Sequence, residues 1–133
     1  MAFRAITQEE KNQGYFLVEI PAGGAKSEPL NISSVIMYAI EHGPWTPSFL
    51  TFQVSLDGVE FADLYIQMRR ANAYGDEFAQ EPEEESFNFS STPQVFRFDS
   101  RDWPSIRYLR FRSGKSGATV IQEDTRILKI GCK

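Results

Sequence analysis

At 133 residues, with 41% hydrophobic and 24% charged side chains, the chain has the composition of one globular domain able to bury a core without disulfides or metal. Fourteen Lys and Arg against eighteen Asp and Glu leave a net charge of −4, which excludes a general cationic field for nucleic-acid phosphates or an anionic membrane. One cysteine, Cys132, and one histidine, His42, exclude an intrachain disulfide and the common Cys/His zinc frameworks.

The first residues, Met1-Ala2-Phe3-Arg4, lack the apolar stretch of a signal peptide, and no run approaches the roughly 18 apolar residues of a bilayer span. A cytosolic product without a leader is expected, with residues 1–14 as an N-terminal arm to a single domain over 1–133. Beyond the arm, short apolar runs alternate with turn residues, the cadence of a β-sandwich. Strands are predicted at 15–20, 31–40, 48–56, 59–66, 86–90, 94–99, 106–113 and 125–131. The fold class is therefore all-β, a jelly roll or β-sandwich of about eight antiparallel strands.

Pro21, Gly23 and Gly24 end the first strand and Gly43-Pro44 the second. In the second strand Ile32, Ile36, Tyr38 and Ile40 share one face while Val35, Met37 and Ala39 share the other, so both faces are partly apolar. Either a loop or terminal arm covers the second face, or that face meets a partner. Phe49, facing away from Leu50 and Phe52, adds to the candidate partner surface formed by Val35 and Met37. The loop Gly43-Pro44-Trp45-Thr46-Pro47 carries a rigid aromatic that either caps the core or contacts a ligand.

Between the third and fourth strands, Leu56-Asp57-Gly58-Val59 predicts a type I′ hairpin turn. A loop spans 67–85, its Gln67–Ala79 stretch being interrupted by Gly75. The acidic crowd Asp76–Glu85 reads as a solvated loop in preference to a Ca²⁺ site, since EF-hand spacing is absent. Phe96 and Phe98 oppose Arg97 and Asp99, and Leu109 and Phe111 oppose Arg110 and Arg112, so each strand places its apolar residues inward and its charges outward. Trp103-Pro104 precedes the seventh strand. Ser113-Gly114-Lys115-Ser116-Gly117 lacks the upstream glycine and helix of a P-loop and reads as a turn. His42 reads as a loop residue rather than a general base, and Cys132 as incidental, so neither catalytic residues nor a cofactor or metal site is expected.

Residues 50–65, followed by Gly75-Asp76-Glu77-Phe78 and by Arg107-Tyr108-Leu109-Arg110-Phe111-Arg112-Ser113-Gly114, resemble small structural proteins of tailed bacteriophages. The same hairpin and penultimate strand are similar to discoidin-type carbohydrate-binding jelly rolls. The resemblance spans about Pro44 to Gly131, although the segment after Tyr65 is longer than in that family and Glu83–Glu85 is unusual for it. It implies a virion component, and a chain of this length without a stalk or enzymatic module implies a capsid decoration, or cement, protein. Such a protein would clamp the major capsid protein or other virion proteins on the head surface, with a homotrimer at local three-fold axes as its natural geometry. The alternative it implies is a glycan-binding module of a tail, baseplate or head fibre, with Trp45, Tyr74 or Trp103 stacking on sugar. A hydrolase on the same fold would need only a pair of carboxylates.

Overall fold

A computed structural model describes residues 3–66, 69–71, 77–79 and 82–133, with the backbone alone at 69–71 and 77–79. The order of elements is β1 (Arg4–Ala5), α1 (Gln8–Gln13), β2 (Tyr15–Ile20), β3 (Leu30–Asn31), β4 (Met37–His42), β5 (Ser48–Ser55), β6 (Ala62–Asp63) and β7 (Tyr65–Ile66). It continues with β8 (Arg69–Ala71), β9 (Glu77–Ala79), β10 (Glu83–Glu84), β11 (Phe87–Phe89), β12 (Gln94–Arg97), a 3₁₀ turn (Ser100–Asp102), β13 (Tyr108–Lys115), β14 (Ala118–Thr119) and β15 (Arg126–Cys132).

Eight of these strands form two antiparallel sets in the orders β3-β13-β5-β11 and β12-β4-β15-β2. Following the chain through β2, β3, β4, β5, β11, β12, β13 and β15, it crosses between the sets at every step except β5 to β11. That interleaving is a jelly roll, as the sequence predicts. The remaining segments are additions of two or three residues. β1 lies parallel to β3, β6 pairs with β5, β14 with β13, β7 with β10, and β8 with β9.

The core lies between the sets. Leu50, Phe52, Leu109 and Phe111 of one meet Phe16, Ile20, Ile40, Leu128 and Ile130 of the other, all at 0% exposure. Each side chain of this size taken fully from water contributes about 1.5–3 kcal/mol, so the alternation along β2, β5, β13 and β15 is what drives the two layers together. Aromatic contacts bridge the layers, with Phe87 and Phe89 of β11 at 5.6 and 5.4 Å from Phe96 of β12.

Several predicted details are corrected. The run 31–40 is not one strand. Asn31 Oδ1 accepts from the Ser33 amide at 3.0 Å and its hydroxyl at 2.6 Å, turning the chain so that β3 and β4 enter opposite sheets. Within β4, Ala39 registers with Gly131 but Met37 with Cys132, so Tyr38 is an extra residue and the bulge reverses the alternation. The predicted strand 59–66 is split into β6 and β7 with Leu64 buried between them. Part of 67–85, expected as a loop, forms β8, β9 and β10.

The type I′ turn is absent, because Gly58 has φ +80° while Asp57 does not enter the left-handed region. In its place a wider loop is organised by side chains. Asp57 Oδ1 accepts from the Val59 and Glu60 amides at 2.8 and 3.2 Å, and Ser55 Oγ accepts from the Gly58 amide at 2.8 Å. In the predicted N-terminal arm, Thr7 and Glu10 form a reciprocal capping box and Gly14, at φ 91°, closes α1.

Candidate interaction surface

Four of the five described candidate residues are drawn inward by the fold. Met37 is fully covered because the bulge turns it into the core, so it offers no docking surface. Trp45, at 3% exposure, packs edge-on against His42 and Phe89, with ring centroids at 5.7 and 5.0 Å. Its Nε1 donates to Ser48 Oγ at 3.1 Å, so the loop aromatic caps the core and has no free face for a sugar. Trp103 is 9% exposed, with Phe52 at 5.0 Å and Phe98 at 5.4 Å. Val35 is half-buried against the core, and Phe49 alone stays exposed, its ring under the Lys115 ammonium at 4.2 Å. Tyr74 lies outside the described residues.

The register brings Asn31 and Ser55 to opposite sides of Tyr108, which gathers the loops after β3, after β5 and before β13 at one end of the sandwich. Two clefts open there and share Ile106. One, of about 310 Å³, includes Val35 and Trp103 in its wall, together with Ile32, Ile36 and Arg101. The two predicted candidates, far apart in sequence, therefore meet in one place. The second, of about 370 Å³, is walled by Val54, Leu56, Phe61, Ala62, Asp57 and Glu60. Leu56 stands 68% exposed and Val59 81% exposed on the loop beside it, two aliphatic tips in water.

Charges at this end are largely engaged. Amides of Val59 and Glu60 and the Ser55 hydroxyl hold the Asp57 carboxyl below its ordinary value. Arg101 is clasped by Asp99 at 2.6–3.0 Å. Phe3 of the N-terminal arm packs on Phe61 and Tyr108 at 6.0 and 5.3 Å, fastening the apolar loop to the end of the barrel.

The isolated titratable groups are also placed. His42 ends β4 rather than lying in a loop. It is 1% exposed and stacked on Phe89 at 4.0 Å, with Nδ1 donating to the Gly43 carbonyl at 2.7 Å. Cys132 is buried, and that burial raises its thiol pKa. At the opposite end of the barrel Gln122, with no exposed surface, donates to Thr46 O and Ser113 Oγ at 3.2 and 2.8 Å. Its Oε1 accepts from the Thr46 amide and Arg126 Nε at 2.9 and 3.0 Å. This side chain stitches the 43–47 loop to β13 and β15.

The acidic run is only partly solvated. Glu83 is exposed, but the Glu84 carboxylate reaches Arg112 Nη2 and accepts from the Ser116 amide at 3.0 Å. Burial raises the Glu85 carboxyl above its ordinary value, against a hydrogen bond from Trp103. Arg112, expected to point its charge into water, does face away from the core but is 3% exposed beneath this segment. Among the described residues no group of three or more His, Cys, Asp or Glu is placed to hold a metal ion.

Comparison with protein-family models, with curated proteins and with solved structures finds no match for the chain.

Proposed function

We propose that the chain is a non-enzymatic structural protein of a tailed-bacteriophage virion, a decoration protein that docks through the loop end of its jelly roll onto the capsid. The observation that carries the docking is the pair Leu56 and Val59, held in water by an ordered loop beside a largely apolar cleft that Leu56 helps to wall. The virion assignment rests on the resemblance of residues 50–65 and 107–114. Removing such tips from water on docking contributes up to about 1.5–3 kcal/mol each. Binding the assembled shell in preference to free subunits stabilises it by mass action, and more so if a homotrimer presents several loop ends together.

The test is sedimentation with particles encoded by the same genome. Wild-type protein is expected to travel with the particles in high copy number, and Leu56→Asp/Val59→Asp protein to stay in the supernatant with its melting temperature unchanged. Wild-type protein absent from particles, or a double variant that binds equally well, overturns the reading.

A further inference from the structure

The two sheets differ in what lies over their outer faces. Over the set β3-β13-β5-β11 the chain roofs itself, leaving Thr51 and Arg112 at 0% and 3% exposure. Over the set β12-β4-β15-β2 the outward side chains stay in water: Leu17 of β2, Ile127 and Lys129 of β15, Glu41 of β4 and Val95 of β12 are all exposed. Three aliphatic side chains on one sheet face, set among charges, are more than the singly scattered apolar residues of an ordinary surface.

The ladders align four of these residues in one row straight across the sheet. Leu17 registers with Lys129, Lys129 with Glu41, and Glu41 with Val95. The row therefore reads apolar, positive, negative, apolar. Among the described residues neither Lys129 nor Glu41 enters an ion pair, and the ammonium lies 4.9 Å over the Tyr15 ring. One row further along, Gly131 and Ala39 stand side by side at the centre of the same face, small enough to let another surface come close.

We propose that a second copy of this chain covers this face, related to the first by a two-fold axis that runs along the strands between β15 and β4. Rotation about that axis reverses the row while keeping its height along the strands. Lys129 then meets Glu41 of the second copy and Leu17 meets Val95 of the second copy, with the reciprocal contacts following by symmetry. Each charge in the resulting square of four has an opposite charge beside it and another across the interface. An axis across the strands through the same row would instead oppose Lys129 to Lys129 and Glu41 to Glu41, so the charges select the first axis. Aligned stacking of two sheets about 10 Å apart is an ordinary way for sheets to pack. Because the axis follows the strands, the loop ends of both copies point the same way, and the pair is bivalent toward whatever that end docks on. The pairing itself makes no use of the loop end, so it and the virion reading fail independently.

Four strands spaced by about 4.8 Å give a face roughly 20 Å wide, at the small end for a protein–protein contact, so the pair forms in a concentration-dependent way. The test is sedimentation velocity of the full chain from about 5 to about 500 μM, a range that brackets affinities expected of small interfaces. Wild type is expected to pass from monomer to dimer. Lys129→Glu and Glu41→Lys each set like charges across the axis and should weaken the dimer at least about tenfold, with melting temperatures unchanged because both side chains are exposed. Mixing the two single variants should restore association as a heterodimer, since one copy then carries two carboxylates and the other two ammonium groups. The doubly swapped Lys129→Glu/Glu41→Lys chain should pair with itself as wild type does. Wild type that stays monomeric at about 500 μM or sediments as a trimer, single variants that pair like wild type, or a mixture no better than its components overturns the proposal.

Discussion

Replacing Trp45 by Ala separates a core-capping indole from a ligand platform. The ring is 3% exposed and wedged against His42 and Phe89, so its removal opens a void among residues that strands β4 and β11 hold in place. Large-to-small changes of this kind cost about 3–5 kcal/mol. The lost Nε1 bond adds little, because Ser48 Oγ keeps its 2.9 Å partner in Ser113 Oγ. For a chain of this length a loss of that size lowers the melting temperature by roughly 10–20 °C. Trp45→Phe keeps most of the apolar volume and should cost only about 1–2 kcal/mol. Scanning calorimetry of the two variants beside wild type gives both numbers. A Trp45→Ala protein melting within about 2 °C of wild type would refute the burial argument and return Trp45 to the surface as a ligand contact.

Gln122→Leu leaves the Thr46 amide and Arg126 without their acceptor and is expected to cost about 2–4 kcal/mol in urea unfolding; a neutral result would show the loop stitch to be dispensable. Burial opposes the charge of Asp63, but hydrogen bonds from Ser116 and Arg112, the Arg112 charge and Gln53 together hold its carboxyl below 3.8. Its stabilisation is thus present above that pH and lost as pH falls through the lower folded value. Asp63→Asn should therefore melt below wild type at pH 7 and converge with it in strong acid. Glu85 has the opposite sign, because a carboxyl raised above 4.5 gives full stability below that pH and loses it as pH rises through the folded value. Glu85→Gln keeps an oxygen for the Trp103 N–H and should melt above wild type at pH 7 but not below 4.5, a crossover that a pH series of thermal melts reads directly.

The strands that lie against the core were legible because one face of each is apolar at period two. β2 and β5 begin at the predicted residues, and β15 is offset by a single residue. Where the second face is also covered, periodicity stops being informative. Arg112 reads as solvent-facing from its neighbours, yet it is buried, because a segment 28 positions before it supplies Glu84 to cover it. Nothing local to residues 106–113 carries that fact. Helix α1 is different, since Thr7, Glu10 and Gly14 spell its capping box and its stop; the signal was present but the segment is only six residues long and buries none of them.

The second strand shows how a misread element can still contribute a residue to the proposed site. Its two apolar faces suggested a surface awaiting a partner, whereas physically the pattern comes from a turn at Asn31–Ser33 followed by a bulge at Tyr38. Each device shifts the alternation, so two half-buried stretches in different sheets resemble one strand buried on both sides. Yet the turn that breaks the strand is also what carries Val35 out of the ladder and sets it beside Trp103 in the loop-end cleft. The proposed partner surface therefore moves from the face of a sheet to the end of the barrel. There the loops are free of pairing constraints and Leu56 and Val59 can be presented to water without exposing a ladder edge.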